Sequence, residues 1–182
     1  MVTIHRQQTN TLPARNSQPV TKEAHKIIAP RGARLCRVNV RIQSGQPLQK
    51  MVLEAGPDTK PDAKIYGVRD LWLPTGTKVL EEEMILLNGI RSWNMALGWA
   101  GEWGLEPTNA YSVFGIGKKY HRFHRQVGMN PTLVISTREI FFEDECQVVG
   151  VHWNRDLRKV CLEKVTNCHL PEVWYAFQKK QR

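Results

Sequence analysis

The chain has 182 residues, 41% of them hydrophobic and 24% charged, which predicts one domain large enough to bury a real core. Twenty-six Lys and Arg against 17 Asp and Glu give a net charge of +9, which points to polyanionic partners. The composition argues against a membrane protein: the most apolar stretch, 79–100, is broken by Glu81, Glu82, Glu83, Asn88, Arg91 and Asn94.

The first twenty residues are rich in Gln, Asn, Thr and Pro and lack the apolar run of a secretory signal, so an intracellular location, cytoplasmic or nuclear, is expected. Cys36, Cys146, Cys161 and Cys168 include no CxxC pair, and the thiols are expected to be reduced. The charge is uneven. Residues 1–50 hold nine bases (Arg6, Arg15, Lys22, Lys26, Arg31, Arg34, Arg37, Arg41 and Lys50) and one acid, Glu23, a net of +8. The other 132 residues are nearly neutral, with 17 bases and 16 acids.

Residues 1–20, with Pro13 and Pro19 and no periodicity, predict a flexible basic arm ahead of a single α+β domain over 21–182. Leu35 to Gln43 alternates, with Cys36, Val38, Val40 and Ile42 on one side and Arg37, Asn39, Arg41 and Gln43 on the other, which predicts a half-buried strand with a basic outer face. A turn at Ser44–Pro47 and a partner strand over Leu48 to Glu54 would complete an N-terminal hairpin. Ala55 to Lys64 reads as a surface loop and Ile65 to Leu73 as a short strand.

One long central helix is predicted next, capped by Thr77. Glu81–Glu83 would lie in its first turn and Val79, Leu86, Ile90, Trp93 and Leu97 on one stripe, with Gly98, Gly101 and Gly104 ending it. Leu105 to Gly117 reads as irregular, and Lys118 to Val127 as a short basic helix closed by Gly128. A four-strand meander follows: Thr132–Ser136, Glu139–Glu143, Gln147–Trp153 and Leu157–Val165, with turns at Asp144-Glu145 and Asn154–Asp156. Val149, Val151, Trp153, Val160 and Leu162 would share one buried face. Pro171 opens a predicted C-terminal helix that docks Val173, Trp174 and Phe177. The architecture is α+β with an antiparallel sheet.

Two segments suit a nucleic acid. KKYHRFHR, 118–125, interleaves Lys118, Lys119, Arg122 and Arg125 with Tyr120 and Phe123: cations that neutralise phosphates beside rings that can stack on bases. The bland alternative is a surface helix whose Tyr120, Phe123 and Val127 face the core. The second set is Arg31, Arg34, Arg37 and Arg41, of which Arg37 and Arg41 lie about 13 Å apart along one strand face. Its bland alternative is a charged edge that resists aggregation.

Other constellations are weaker. GIGKK, 115–119, lacks the full phosphate-loop pattern. Cys161, Cys168 and His169 have the chemistry for zinc, while Cys146 and His152 are about 20 Å apart along a strand. Glu139, Glu143, Asp144 and Glu145 have the chemistry for Mg²⁺, with His152 as a base, but belong in turns. Trp99 and Trp103, four apart, would make a stacking platform if exposed.

The sequence thus predicts a non-enzymatic nucleic-acid-binding protein, with RNA or single strands slightly preferred and no cofactor or metal. The alternatives are a protein-interaction or inhibitory module for an acidic or apolar partner, then a metal-dependent nuclease.

Overall fold

The computed structural model describes residues 27–43, 45–69, 71 and 79–179; the arm over 1–20, Ser44 and Thr77 lie outside them. In chain order the elements are β1 (Arg34–Gln43), α1 (Leu48–Ala55), β2 (Val79–Asn88), α2 (Trp93–Glu102), β3 (Leu105–Pro107), α3 (Ala110–Lys119), α4 (Phe123–Val127), β4 (Thr132–Ile135), β5 (Ile140–Phe142), β6 (Glu145–Asn154), β7 (Leu157–Lys164) and β8 (Val173–Lys179). Short 3₁₀ turns occupy Lys64–Gly67 and Val165–Asn167. The class is α+β, but the sheet is mixed: β8 pairs antiparallel with β2 and parallel with β4.

The strand β1 forms as its alternation predicts, with Val38, Val40 and Ile42 buried and Arg37, Asn39 and Arg41 exposed. Its partner is β2, however, in a register that sets Arg41 opposite Glu81 and Asn39 opposite Glu83. Leu48 to Glu54 is helix rather than strand. Leu48, Met51, Val52 and Ala55 recur at i, i+3, i+4 and i+7, and the last three are buried.

The predicted central and C-terminal helices are both corrected for one reason. Met84–Asn88 in β2 and Val173–Phe177 in β8 are buried at every position. A strand covered on both faces loses its polar alternation and reads as a continuous apolar run. The helix in the first of these regions starts only at Trp93, where the Ser92 side chain accepts a hydrogen bond from the Met95 amide at 3.2 Å. Gly98 and Gly101 lie within it, and Gly104, at φ 64°, follows its end. Ile65 belongs to a 3₁₀ turn instead of a strand, and the 105–117 segment is ordered into β3 and α3.

The four predicted strands form, but not as a meander: β4 pairs with β6 and β8 and not with β5, so β4 and β5 share one edge of β6, along its two halves, and β7 takes the other edge. The β5–β6 turn is at Glu143-Asp144, both left-handed. Along β8, β4 and β3 leave a gap at Ala176, whose carbonyl accepts from the hydroxyls of Thr108 (2.8 Å) and Thr137 (2.5 Å).

Cores form on both sheet faces. On one, Val38, Val40, Met84, Leu86, Val134, Val149, Val151, Trp153, Val160 and Trp174 pack with α1, α3 and α4. On the other, Ile85, Leu87, Leu133, Ile135, Val148, Tyr175 and Phe177 pack with α2.

Candidate nucleic-acid interface

Gly115 and Gly117 bring α3 down onto its neighbours: a Cβ on Gly115 would lie 3.2 Å from Val40 Cβ, and one on Gly117 would lie 2.6 Å from the Ala55 carbonyl oxygen. GIGKK is therefore the packing face and end of a helix, not a connector or phosphate loop. The close approach carries the C-terminal end of α3 to the free edge of β1. There the Tyr120 hydroxyl accepts from the Asn39 amide and donates to the Asn39 carbonyl, both at 3.1 Å, and Lys119 Nζ donates to the same carbonyl at 2.7 Å.

Helix α3 ends at Tyr120, so the predicted 118–127 helix is split, and α4 begins at Phe123. Gly128, at φ 66°, closes α4. At the far end Arg34 Nη2 donates to the Val127 carbonyl at 2.6 Å. The segment 118–127 thus runs antiparallel alongside β1, from Lys118 near Arg41 to Val127 beside Arg34. Two basic segments some 80 residues apart in sequence become one strip at the sheet edge.

The predicted residues fare differently within it. Arg31 is exposed in the turn before β1. The Arg34 guanidinium lies 5.4 Å from the Trp174 ring centroid and is bound to Val127, so it fastens α4 to the sheet. Arg37 pairs with Glu83 at 3.5 Å, Lys118 with Glu54 at 2.7 Å and Arg125 with Asp156 at 3.3 Å, all of them solvated. Such pairs are worth about 0–1 kcal/mol. Arg41 and Arg122 are exposed.

The aromatic half of the expectation is overturned for Phe123. It is 0% exposed and packs on Trp153 and Trp174, with centroids at 5.5 and 5.9 Å. Tyr120 is half-buried, edge-on to Phe123 and overlain by Lys119 Nζ at 5.6 Å from the centroid. Trp99 is buried too, its Nε1 donating to the Ile28 carbonyl at 3.1 Å, so it makes no open platform.

What the sequence reading missed is the counter-charge. Glu81–Glu83 lie in β2 beside β1 instead of in a helix turn, and Glu83 pairs with both Arg37 and Lys179. Glu82 accepts from Ser112 Oγ at 3.2 Å, and burial pushes its carboxyl pKa up. The cleft where α1, α3 and β1 meet has a volume of about 30 Å³, room for a water and well short of the roughly 300 Å³ a small-molecule site needs.

Among the described residues no three His, Cys, Asp or Glu side chains gather as a metal site. Cys168 Sγ faces the Lys164 carbonyl and His169 Nδ1 the Thr166 carbonyl. Glu143 and Glu145 pair with Lys64 and Lys164. No described helix is long and apolar enough to cross a membrane. No family model, curated protein or solved structure matches the chain.

Proposed function

We propose that this is a non-enzymatic nucleic-acid-binding protein that holds phosphates along the edge formed by β1 and residues 118–125. The observation that carries the reading is the junction of Asn39 with Lys119 and Tyr120, which merges two basic segments into one strip. Arg37, Arg41, Lys118, Lys119, Arg122 and Arg125 are its phosphate ligands, while Arg34, Tyr120 and Phe123 hold it in shape.

The test is binding of the full chain to a labelled 24-residue oligonucleotide from 50 to 200 mM salt, beside Arg122→Ala/Arg125→Ala and a control, Lys164→Ala, outside the strip. Each lost phosphate contact should reduce the slope of log affinity against log salt by about 1, with the control unchanged. Equal loss in the control, or no binding at 50 mM, would sink the reading.

A protein-interaction module is the second reading, favoured by Ile28, whose carbonyl accepts from Trp99, and Met95, one helical turn before Trp99, which are 62% and 59% exposed. Unaltered oligonucleotide binding by Met95→Lys would leave that spot with no part in the first function.

A further inference from the structure

Resting on the phosphate-binding reading, we infer that the strip takes its nucleic acid as a duplex, by the backbone, rather than as an unpaired strand. Proteins that bind single strands combine a basic groove with rings on which successive bases stack, each stack adding about 1–3 kcal/mol. Among the described residues the charge and the rings are separated. The first 50 residues hold nine Lys or Arg and no Phe, Trp or Tyr. Of the two rings in KKYHRFHR, Phe123 is core, and Tyr120 has its hydroxyl bound to the Asn39 backbone with Lys119 over its ring. The described aromatic side chain with the greatest exposure, Phe141 at 70%, lies in β5, outside the strip.

A surface that offers cations without stacking faces gains from phosphate density alone. A duplex carries one charge per about 1.7 Å of axis, and neutralising it releases more counterions per contact than a single strand does. Along β1 the phosphate ligands Arg37 and Arg41 lie about 13 Å apart, or about four base pairs. The strip's outer residues lie on a sheet edge and two helix ends, and the cleft between α1, α3 and β1 holds only about 30 Å³, too little for an unstacked base.

The experiment titrates the full chain against four labelled 24-residue probes of one sequence, as single- and double-stranded DNA and RNA, at 50 and 200 mM salt. The duplexes should bind at least tenfold more tightly than their separate strands, with the steeper salt slope, and Arg41→Ala/Arg122→Ala should remove most of that advantage. Comparison of the two duplexes assigns DNA or RNA. Single strands binding as tightly as the duplexes would overturn the duplex assignment and leave phosphate binding standing. Failure of all four probes at 50 mM would overturn both.

Discussion

Gly117 and Gly98 both lie inside helices, yet the same substitution should move stability in opposite directions. A Cβ on Gly117 meets backbone, the Ala55 carbonyl oxygen at 2.6 Å, so Gly117→Ala must push α3 from α1 and should cost about 1–3 kcal/mol. Gly98, in α2, has nothing within 4 Å of the added carbon, and Gly98→Ala should add about 0.5–1 kcal/mol through helix propensity alone. Urea denaturation of the pair checks both signs. The thiols divide in the same way by surroundings. Cys146 is exposed, whereas burial pushes the Cys168 pKa up to about 12 and raises that of Cys161 well above the ordinary thiol value. At pH 8 a thiol reagent should label Cys146 first, Cys161 more slowly, and Cys168 only on unfolding, which mass spectrometry of the modified peptides would show.

At the scale of elements, the junction between α3 and β1 protects a sheet edge. The backbone of Asn39 faces outward from the sheet, and Tyr120 and Lys119 satisfy it before another strand can. Tyr120→Phe removes the hydroxyl and leaves both Asn39 groups without that partner, at an expected cost of about 1–2 kcal/mol. The variant should also self-associate more than the parent in sedimentation experiments at matched concentration. Loss of stability without association would mean that Lys119 alone guards the edge. On the opposite edge of the sheet the chain uses another device. The 56–59 loop lies against β7, Pro57 bridging to Lys159 and Thr59 Oγ1 accepting from the Val160 amide at 2.8 Å, with Gly56 required because a Cβ there would lie 2.5 Å from that amide nitrogen.

For the molecule as a whole, the buried titratable groups define a pH window. Burial, and then the Arg125 charge, lower the pKa of His124, and burial followed by Lys159 does the same to His152. A lowered pKa means that the unfolded chain takes up the proton first, so stability falls as pH drops below about 6.5. On the alkaline side burial raises Tyr111, Tyr175 and Cys168 to about 12. Their neutral forms favour the fold below pH 9–10, and that stability is lost as pH rises toward 12. The Tm should therefore form a plateau between about pH 6.5 and 9 and decline on both sides, and His124→Gln should soften the acid limb. An acid limb identical in the variant would show that His124 has no share in it.

The single-face strands were legible because their chemistry is local. In β1 every second residue meets water, and Val38, Val40 and Ile42 stand out against Arg37, Asn39 and Arg41. Composition alone likewise determined the charge imbalance and the candidates Lys118, Lys119, Arg122 and Arg125. Burial on both faces erased that local signal in β2 and β8, since Met84–Leu87 and Val173–Phe177 are apolar throughout and only their neighbours in the sheet make them strands. The candidate interface was half legible for a related reason. A cation must stay in water wherever the chain takes it, but a ring in a basic segment can turn inward, and Phe123 does so because Trp153 and Trp174 await it across the core. Sequence determined which groups carry charge. Only tertiary structure decided that Tyr120 would meet Asn39, that glutamates of β2 would flank the strip, and that its aromatic residues would serve the core, because each of these rests on contacts between segments distant in the chain.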